Sequence, residues 1–428
     1  MTRDLTTGSP MRLIWSFALP TLFGMLFQQF YNMMDTMIVG QLLGASALAS
    51  VGSTSSINFF VIGFCMGVCN GFAIPVAQRM GAGDYSQMRR CVANAGWLSA
   101  LFAVVLTVFT GLFCRTILTV MRTPEDIFDG AYWYILIIFL GIPTTFLYNL
   151  LAAVIRALGD SKTPVYFLAI SSVLNIALDL LLILYCHAGV AGAALATVIS
   201  QGISAAWVLK FLTGRKAILR LRLRNLALGA GRVKSIVALG LSGFFMNLTN
   251  SLVQVVCNAT LQAYGGDLYV GVMTIINSLR EVFFMPVQGL TNGAQPVTGY
   301  NYGAGRYSRV RSSIRFSVAV TVGYAAVFWA AAMLFPGLLI RVFNSEPEVV
   351  AAGIPALRIY FCLFIPMSLQ MAGQGVFVSL GRSKQAVFFS LLRKAIINAP
   401  LTVVLPIWMG TTGVFTAEAI SQLVGGLA

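Results

Sequence analysis

Charge is what this chain has least of. Only 10% of its 428 residues are charged, against about 25% in a soluble domain. That is too little to cover a globular surface in water. Acidic residues are the scarcest, 13 in all. There is one histidine, His187, which excludes a histidine cluster for a metal. The seven cysteines are odd in number and lie mostly in apolar stretches, so they imply no disulfide framework. Cys65 and Cys69 share a helix face but lack further soft ligands, and read as small buried residues. Met1–Pro10 carries no signal-peptide pattern.

What is present is apolar. Hydrophobic residues make up 58% of the chain, and the mean hydropathy is +0.84. Successive stretches exceed the ~20 residues a helix needs to cross a bilayer. Twelve spans are expected, near 12–38, 47–74, 92–114, 130–156, 163–185, 189–212, 234–262, 269–298, 314–340, 352–378, 385–407 and 411–428. In lipid the backbone must satisfy its own hydrogen bonds, so these spans are helices and the chain is an all-α polytopic membrane protein.

The chain also repeats itself. Leu158-Gly159-Asp160-Ser161-Lys162 recurs as Leu380-Gly381-Arg382-Ser383-Lys384, at an offset of 222 in the numbering. Gly81-Ala82-Gly83-Asp84-Tyr85-Ser86 recurs as Gly303-Ala304-Gly305-Arg306-Tyr307-Ser308 at the same offset. Ile199-Ser200-Gln201 recurs as Ile420-Ser421-Gln422, at an offset of 221. Two similar apolar halves are a common transporter plan. We divide the chain into a first lobe over 1–212, a basic linker over 213–233 and a second lobe over 234–428. Six spans per half is an even number, so the halves should be related by an axis along the membrane normal.

The net charge of +15 could suggest nucleic acid, but its placement argues otherwise. Most cations, from Arg79 through Arg215–Lys234 to Arg393 and Lys394, fall on the side shared by the N-terminus. The opposite loops hold few cations and much of the acid, including Glu125, Asp126, Asp129 and Asp267. This positive-inside bias puts the N-terminus in the cytoplasm and the protein in the cytoplasmic membrane. The basic linker reads as a solvated segment near anionic headgroups.

Only Asp35, Asp179, Glu281 and Glu418 are acidic residues within spans. An ionisable group at membrane depth costs roughly 3 kcal/mol on insertion scales, which makes each a functional candidate. Gln28, Tyr31, Asn32 and Asp35 share one helix face. Asn175 precedes Asp179 by one helical turn, again on one face, and Thr197 lies in the next span. Two carboxylates in a water-poor pocket can exchange protons, or bind a small cation such as sodium with amide and hydroxyl oxygens as further ligands. The alternative is that each caps a helix or sits near an interface. The pair is absent from the second half, where the offset of 222 carries Asp35 onto Cys257 and Asp179 onto Leu401. Glu418, opposite Thr197, is either a lone second-half carboxylate or one satisfied by a neighbouring helix.

The second half has polar stripes instead. Asn250, Gln254 and Asn258 line one face of span seven, and Glu281, Gln288 and Asn292 do much the same on span eight. Such stripes either hold helices together or line a water-filled cavity for substrate. Arg280 and Glu281 point to different azimuths, so pairing between them is not assumed. Pro20 interrupts span one and can bend it.

These residues resemble the multidrug and toxic compound extrusion (MATE) family. The likeness rests on Ala18-Leu19-Pro20, Tyr31-Asn32-x-x-Asp35-Thr36-x-x-Val39-Gly40, the 81–85 loop, Arg156–Asp160, Asn175-x-x-x-Asp179 and Gly189–Thr197. In the second half it rests on Gln288–Pro296 and Gly299–Gly305. The resemblance implies twelve helices in two pseudo-symmetric six-helix lobes around a central cleft. It implies export of small organic, often cationic, compounds against an inward flux of protons or sodium. The acidic pair resembles the DinF-type branch, where Asp35, Asn175, Asp179 and Thr197 match the cation-linked site. Tyr31 and Asn149 match positions beside it, and Pro20 matches the helix-bending proline. NorM-type members carry second-lobe carboxylates that spans seven and ten here lack.

No cofactor beyond the coupling ion is implied, and the partners are small organic molecules and the bilayer, with no nucleic acid. One chain supplies a complete pathway, so a monomer should function. A lipid-linked oligosaccharide flippase is the alternative; it needs a strongly cationic cleft, and only Arg280 stands clearly inside a span. A major-facilitator transporter is disfavoured because 81–90 lacks its Gly-x-x-x-Asp-x-x-Gly-Arg loop. Gly81-Ala82-Gly83-Asp84 spells an intramembrane aspartyl protease motif, but its repeat carries Arg306 in place of the acid, which argues against an enzyme.

Overall fold

The computed structural model describes residues 4–121, 123–213 and 230–427, and every regular element in them is helical. Most of the basic linker lies outside those residues. In order the helices are α1 Pro10–Leu43, α2 Ala45–Gly81, α3 Tyr85–Leu112, α4 Cys114–Val120, α5 Glu125–Leu140, α6 Ile142–Ala157, α7 Lys162–Leu180 and α8 Gly189–Thr213. The second half continues with α9 Ala230–Gly303, α10 Tyr307–Leu334, α11 Pro336–Arg341, α12 Pro347–Phe361, α13 Phe364–Ser379, α14 Ser383–Leu391, α15 Ala399–Val404, α16 Pro406–Met409 and α17 Thr411–Leu427. Two wide π-type turns interrupt the pattern, Leu181–Tyr185 after α7 and Leu392–Asn398 after α14.

Eight of the described helical stretches can cross a bilayer unaided, and α5–α6 and α12–α13, bent by 46° and 48°, make ten. Breaking α9 at Gly266 and adding the 17-residue α17 gives the expected twelve. The polarity of these helices is inverted relative to a soluble protein. On α3, Leu101, Val104, Val105, Val108 and Leu112 face outward while Asn94, Ser99 and Thr110 are buried. Only a lipid surround makes that arrangement favourable.

The repeat is written in the backbone as well as in the sequence. Gly44 and Gly266, Gly83 and Gly305, Gly159 and Gly381, and Gly189 and Gly410 all have positive φ, at offsets of 222 or 221. The turns they make are left-handed, which glycine alone adopts without strain. One difference lies at the helix starts. Asp84 accepts a hydrogen bond from Gln87 N at 3.0 Å, and Asp160 accepts from Lys162 N and Thr163 N. Their counterparts Arg306 and Arg382 keep the cap backbone (φ −86°, ψ 66° and φ −90°, ψ 59°) without the capping oxygen. Asp84, the acid of the protease-like motif, is thus a helix cap. Arg382→Asn should stabilise the protein by about 1 kcal/mol through a restored cap, read as a higher melting temperature in detergent.

The described residues fall into two compact units. The first takes those within Met1–Thr7, Phe23–Phe244 and Gly303–Gly305; the second takes those within Gly8–Leu22, Phe245–Tyr302 and Arg306–Ala428. Lobes of 1–212 and 234–428 follow chain order, whereas these units exchange helix ends. The start of α9 packs on α2, where a Cβ on Gly71 would lie 2.5 Å from Leu239 O. The start of α1 packs on the second arm of α9, where a Cβ on Gly293 would lie 2.5 Å from Ala18. Glycine at both points lets backbones touch, which is how helices associate in lipid. α1 therefore serves both units and changes over just after Pro20. The second unit is filled by aromatic rings, with Phe283 5.6 Å from Phe361 and 6.3 Å from Phe364.

Candidate functional site

The first unit gathers α1, α7 and α8 around a pair of carboxyl groups. Asp35, Asn175 and Asp179 are buried, with Asp179 fully so. The i, i+4 spacing on α7 aims Asn175 and Asp179 the same way. Thr197 of α8 joins them: Tyr31 Oη lies 3.1 Å from Thr197 Oγ1, and Asn175 Nδ2 donates to that oxygen at 3.3 Å. Asp35 of α1 and Asp179 of α7 are neighbours in this cluster, close enough for their carboxyl groups to interact. The π-type turn Leu181–Tyr185 begins just after Asp179, and such turns often mark functional sites.

Among the described residues this cluster has no positive partner. Asp35 Oδ1, both oxygens of Asp179 and Asn175 Oδ1 are buried and meet no donor among the described residues. Two neighbouring carboxylates cannot both remain charged in a dry site without a proton or cation between them. The donors are all hard oxygens, which suits a proton or sodium and not a soft metal. Among the described residues no group of three or more His, Cys, Asp and Glu could hold a metal ion. Tyr134 of α5, missed in the sequence, is buried close enough to interact with both carboxylates and Tyr31.

The other candidates are more scattered. Gln28 is half-buried on the Tyr31 face and Asn32 is exposed. Asn149 turns its amide back to Thr145 O at 2.8 Å. In the second unit Asn250, Asn258 and Gln288 are exposed, Asn292 is half-buried, and Gln254 donates to Asn258 at 3.2 Å.

One expectation is corrected here and two open points are resolved. Arg280 and Glu281 do pair, at 3.1 Å, because their long side chains overcome divergent azimuths. Arg393 and Lys394, counted with the cytoplasmic cations, are buried in the second unit, so Arg280 is not the sole cation inside. Of the two readings of Glu418 the satisfied one holds: Lys394 Nζ donates to its oxygens at 3.0 and 3.1 Å.

The description MatE matches this chain twice, over residues 20–181 and 243–404, once for each half. This chain belongs to the MatE family. A probable multidrug resistance protein of Bacillus subtilis, YpnP, is 28% identical over 99% of this chain and 95% of its own length. An FAD transporter of Shewanella oneidensis is 22% identical over 97% of this chain and 93% of its own. Among solved structures, a MOP superfamily transporter from Pyrococcus furiosus superposes with a TM-score of 0.89 at 22% identity, covering 99% of this chain and 95% of that one. The chain is thus a multi-pass membrane transporter of the MATE family with its twelve-helix fold.

Proposed function

We propose that this MATE-family chain exports small organic, often cationic, compounds in exchange for an inward proton or sodium ion, working as a monomer in the cytoplasmic membrane with its N-terminus inside. The observation that carries this is the neighbouring, unpartnered Asp35–Asp179 pair. An ion entering from outside neutralises the pair and favours one helix arrangement. Its loss to the cytoplasm restores two repelling carboxylates and favours another. Coupling follows if the organic substrate prefers the arrangement that the ion disfavours. Pro20, just before α1 passes between units, is the natural bending point. Thr197 and Tyr31 position the carboxylates and supply further oxygens; Gln28, Asn32, Asn149 and the exposed second-unit amides are the candidate substrate contacts.

The relative named as a probable multidrug resistance protein supports small organic molecules as cargo, and the FAD transporter widens that class to nucleotide-like compounds. The flippase reading gains nothing from Lys394, whose charge is committed to Glu418. The test is export of a fluorescent organic cation from proteoliposomes under a pH gradient or a sodium gradient imposed separately. We expect one of the two gradients to drive export. Movement driven by neither, across a broad dye panel, contradicts the proposal.

A further inference from the structure

The second unit holds a polar cluster on the scaffold positions of the Asp35 site. Cys257 matches Asp35 at the offset of 222, and Glu418 matches Thr197 at 221. The α7 motif Asn175-x-x-x-Asp179 finds its counterpart in Asn398-x-x-x-Thr402, at an offset of 223. The extra position is accounted for by the π-type turn Leu392–Asn398, since such a turn inserts one residue into a helix. The contacts correspond too. Asn398 donates to Glu418 Oε2 as Asn175 donates to Thr197. Cys257 Sγ lies 3.8 Å from Thr402 Oγ1, where Asp35 neighbours Asp179.

The two clusters differ in how their charge is balanced. The first has two carboxyl groups and no cation among the described residues, and four buried oxygens without a donor. The second has one carboxylate, and each of its oxygens has a donor. Lys394 Nζ reaches both, Asn398 binds Oε2, Thr402 Oγ1 donates to Asn398 Oδ1 at 3.1 Å, and Arg393 Nη1 stands 3.9 Å from Oε1. Lys394, Glu418, Asn398 and Thr402 are all buried. Arg280 and Tyr360, joined at 3.2 Å, are the other titratable neighbours.

We propose that the second unit contains a copy of the ion site with its cation built in: the Lys394 ammonium takes the place of an exchangeable ion on Glu418, so one exchangeable cation per chain is held, by the first unit alone. This rests on the reading of the Asp35–Asp179 pair as the exchangeable site. A lysine replacing a free cation explains why the second cluster keeps a carboxylate yet leaves neither of its oxygens without a donor.

The test uses the purified full chain in lipid nanodiscs, with proton uptake on a pH step and binding of radiolabelled sodium measured side by side. The ion that the wild type binds should be lost in Asp35→Asn/Asp179→Asn. It should be unchanged in folded Lys394→Met/Glu418→Gln protein, which removes the Lys394–Glu418 pair together and leaves Arg393 in place. On the silent Asp35→Asn/Asp179→Asn background, adding Arg393→Gln/Lys394→Gln should restore one bound ion, and adding Glu418→Gln should remove it again. Reduced ion binding in Lys394→Met/Glu418→Gln overturns the inference. So does a folded Arg393→Gln/Lys394→Gln protein on that background that regains no ion. Ion binding that survives both Asp35→Asn/Asp179→Asn and Lys394→Met/Glu418→Gln overturns the first-unit site instead.

Discussion

Asp35→Asn and Asp179→Asn should each stop gradient-driven export while leaving the protein folded. Asparagine keeps the size and removes the charge, so the site can no longer gain and lose a positive ion. A coupling energy of about 1–3 kcal/mol corresponds to a change of about 5–150-fold in substrate affinity on ion binding, and both variants should lose it. Stability should hold or rise, because the native carboxylates have buried oxygens without donors. Loss of export with an unchanged melting temperature separates a working site from a structural one. Wild-type export in both variants would assign the two aspartates a structural role.

Glu418→Ala should do the reverse and cause a large loss of stability. It strands the buried Lys394 ammonium and removes the acceptor of Asn398. Breaking a buried ion pair from one side costs about 3–5 kcal/mol. Lys394→Met/Glu418→Gln should recover part of that loss, since the Lys394–Glu418 pair is removed together and only Arg393 is left without its carboxylate. Melting curves in detergent would show the single variant far below the wild type and the double variant between the two. Equal losses in both would mean that packing, not charge, holds α17 to the turn before α15.

The two clusters also explain what could be read from the chain and what could not. Twelve spans and the doubled plan were legible because lipid demands long apolar helices and the turns demand glycine. Asp35, Asn175, Asp179 and Thr197 stood out because polar groups at membrane depth are costly, and the structure brings them together. Tyr134 did not, because a tyrosine in an apolar helix looks like core or interface. Asn398 and Thr402 were hidden by register: an offset of 222 from Asp179 lands on Leu401, and the π-type turn moves the counterpart one position on. Arg393 and Lys394 lie within the expected span 385–407 yet were counted with the cytoplasmic cations, because counting charge by side does not see that a carboxylate on the next helix, Glu418, draws the lysine inward. The exchange of helix ends between units depends on close contacts at Gly71 and Gly293, which have no periodic signature.

The central claim is that substrate and ion oppose each other through Asp35 and Asp179. The direct measurement is ion release when a fluorescent organic cation is added to purified protein in weak buffer, with protons and sodium monitored together. We expect the wild type to release one of the two ions as the cation binds, and Asp35→Asn/Asp179→Asn to release neither. Binding without release from the wild type, or equal release from the variant, would contradict it.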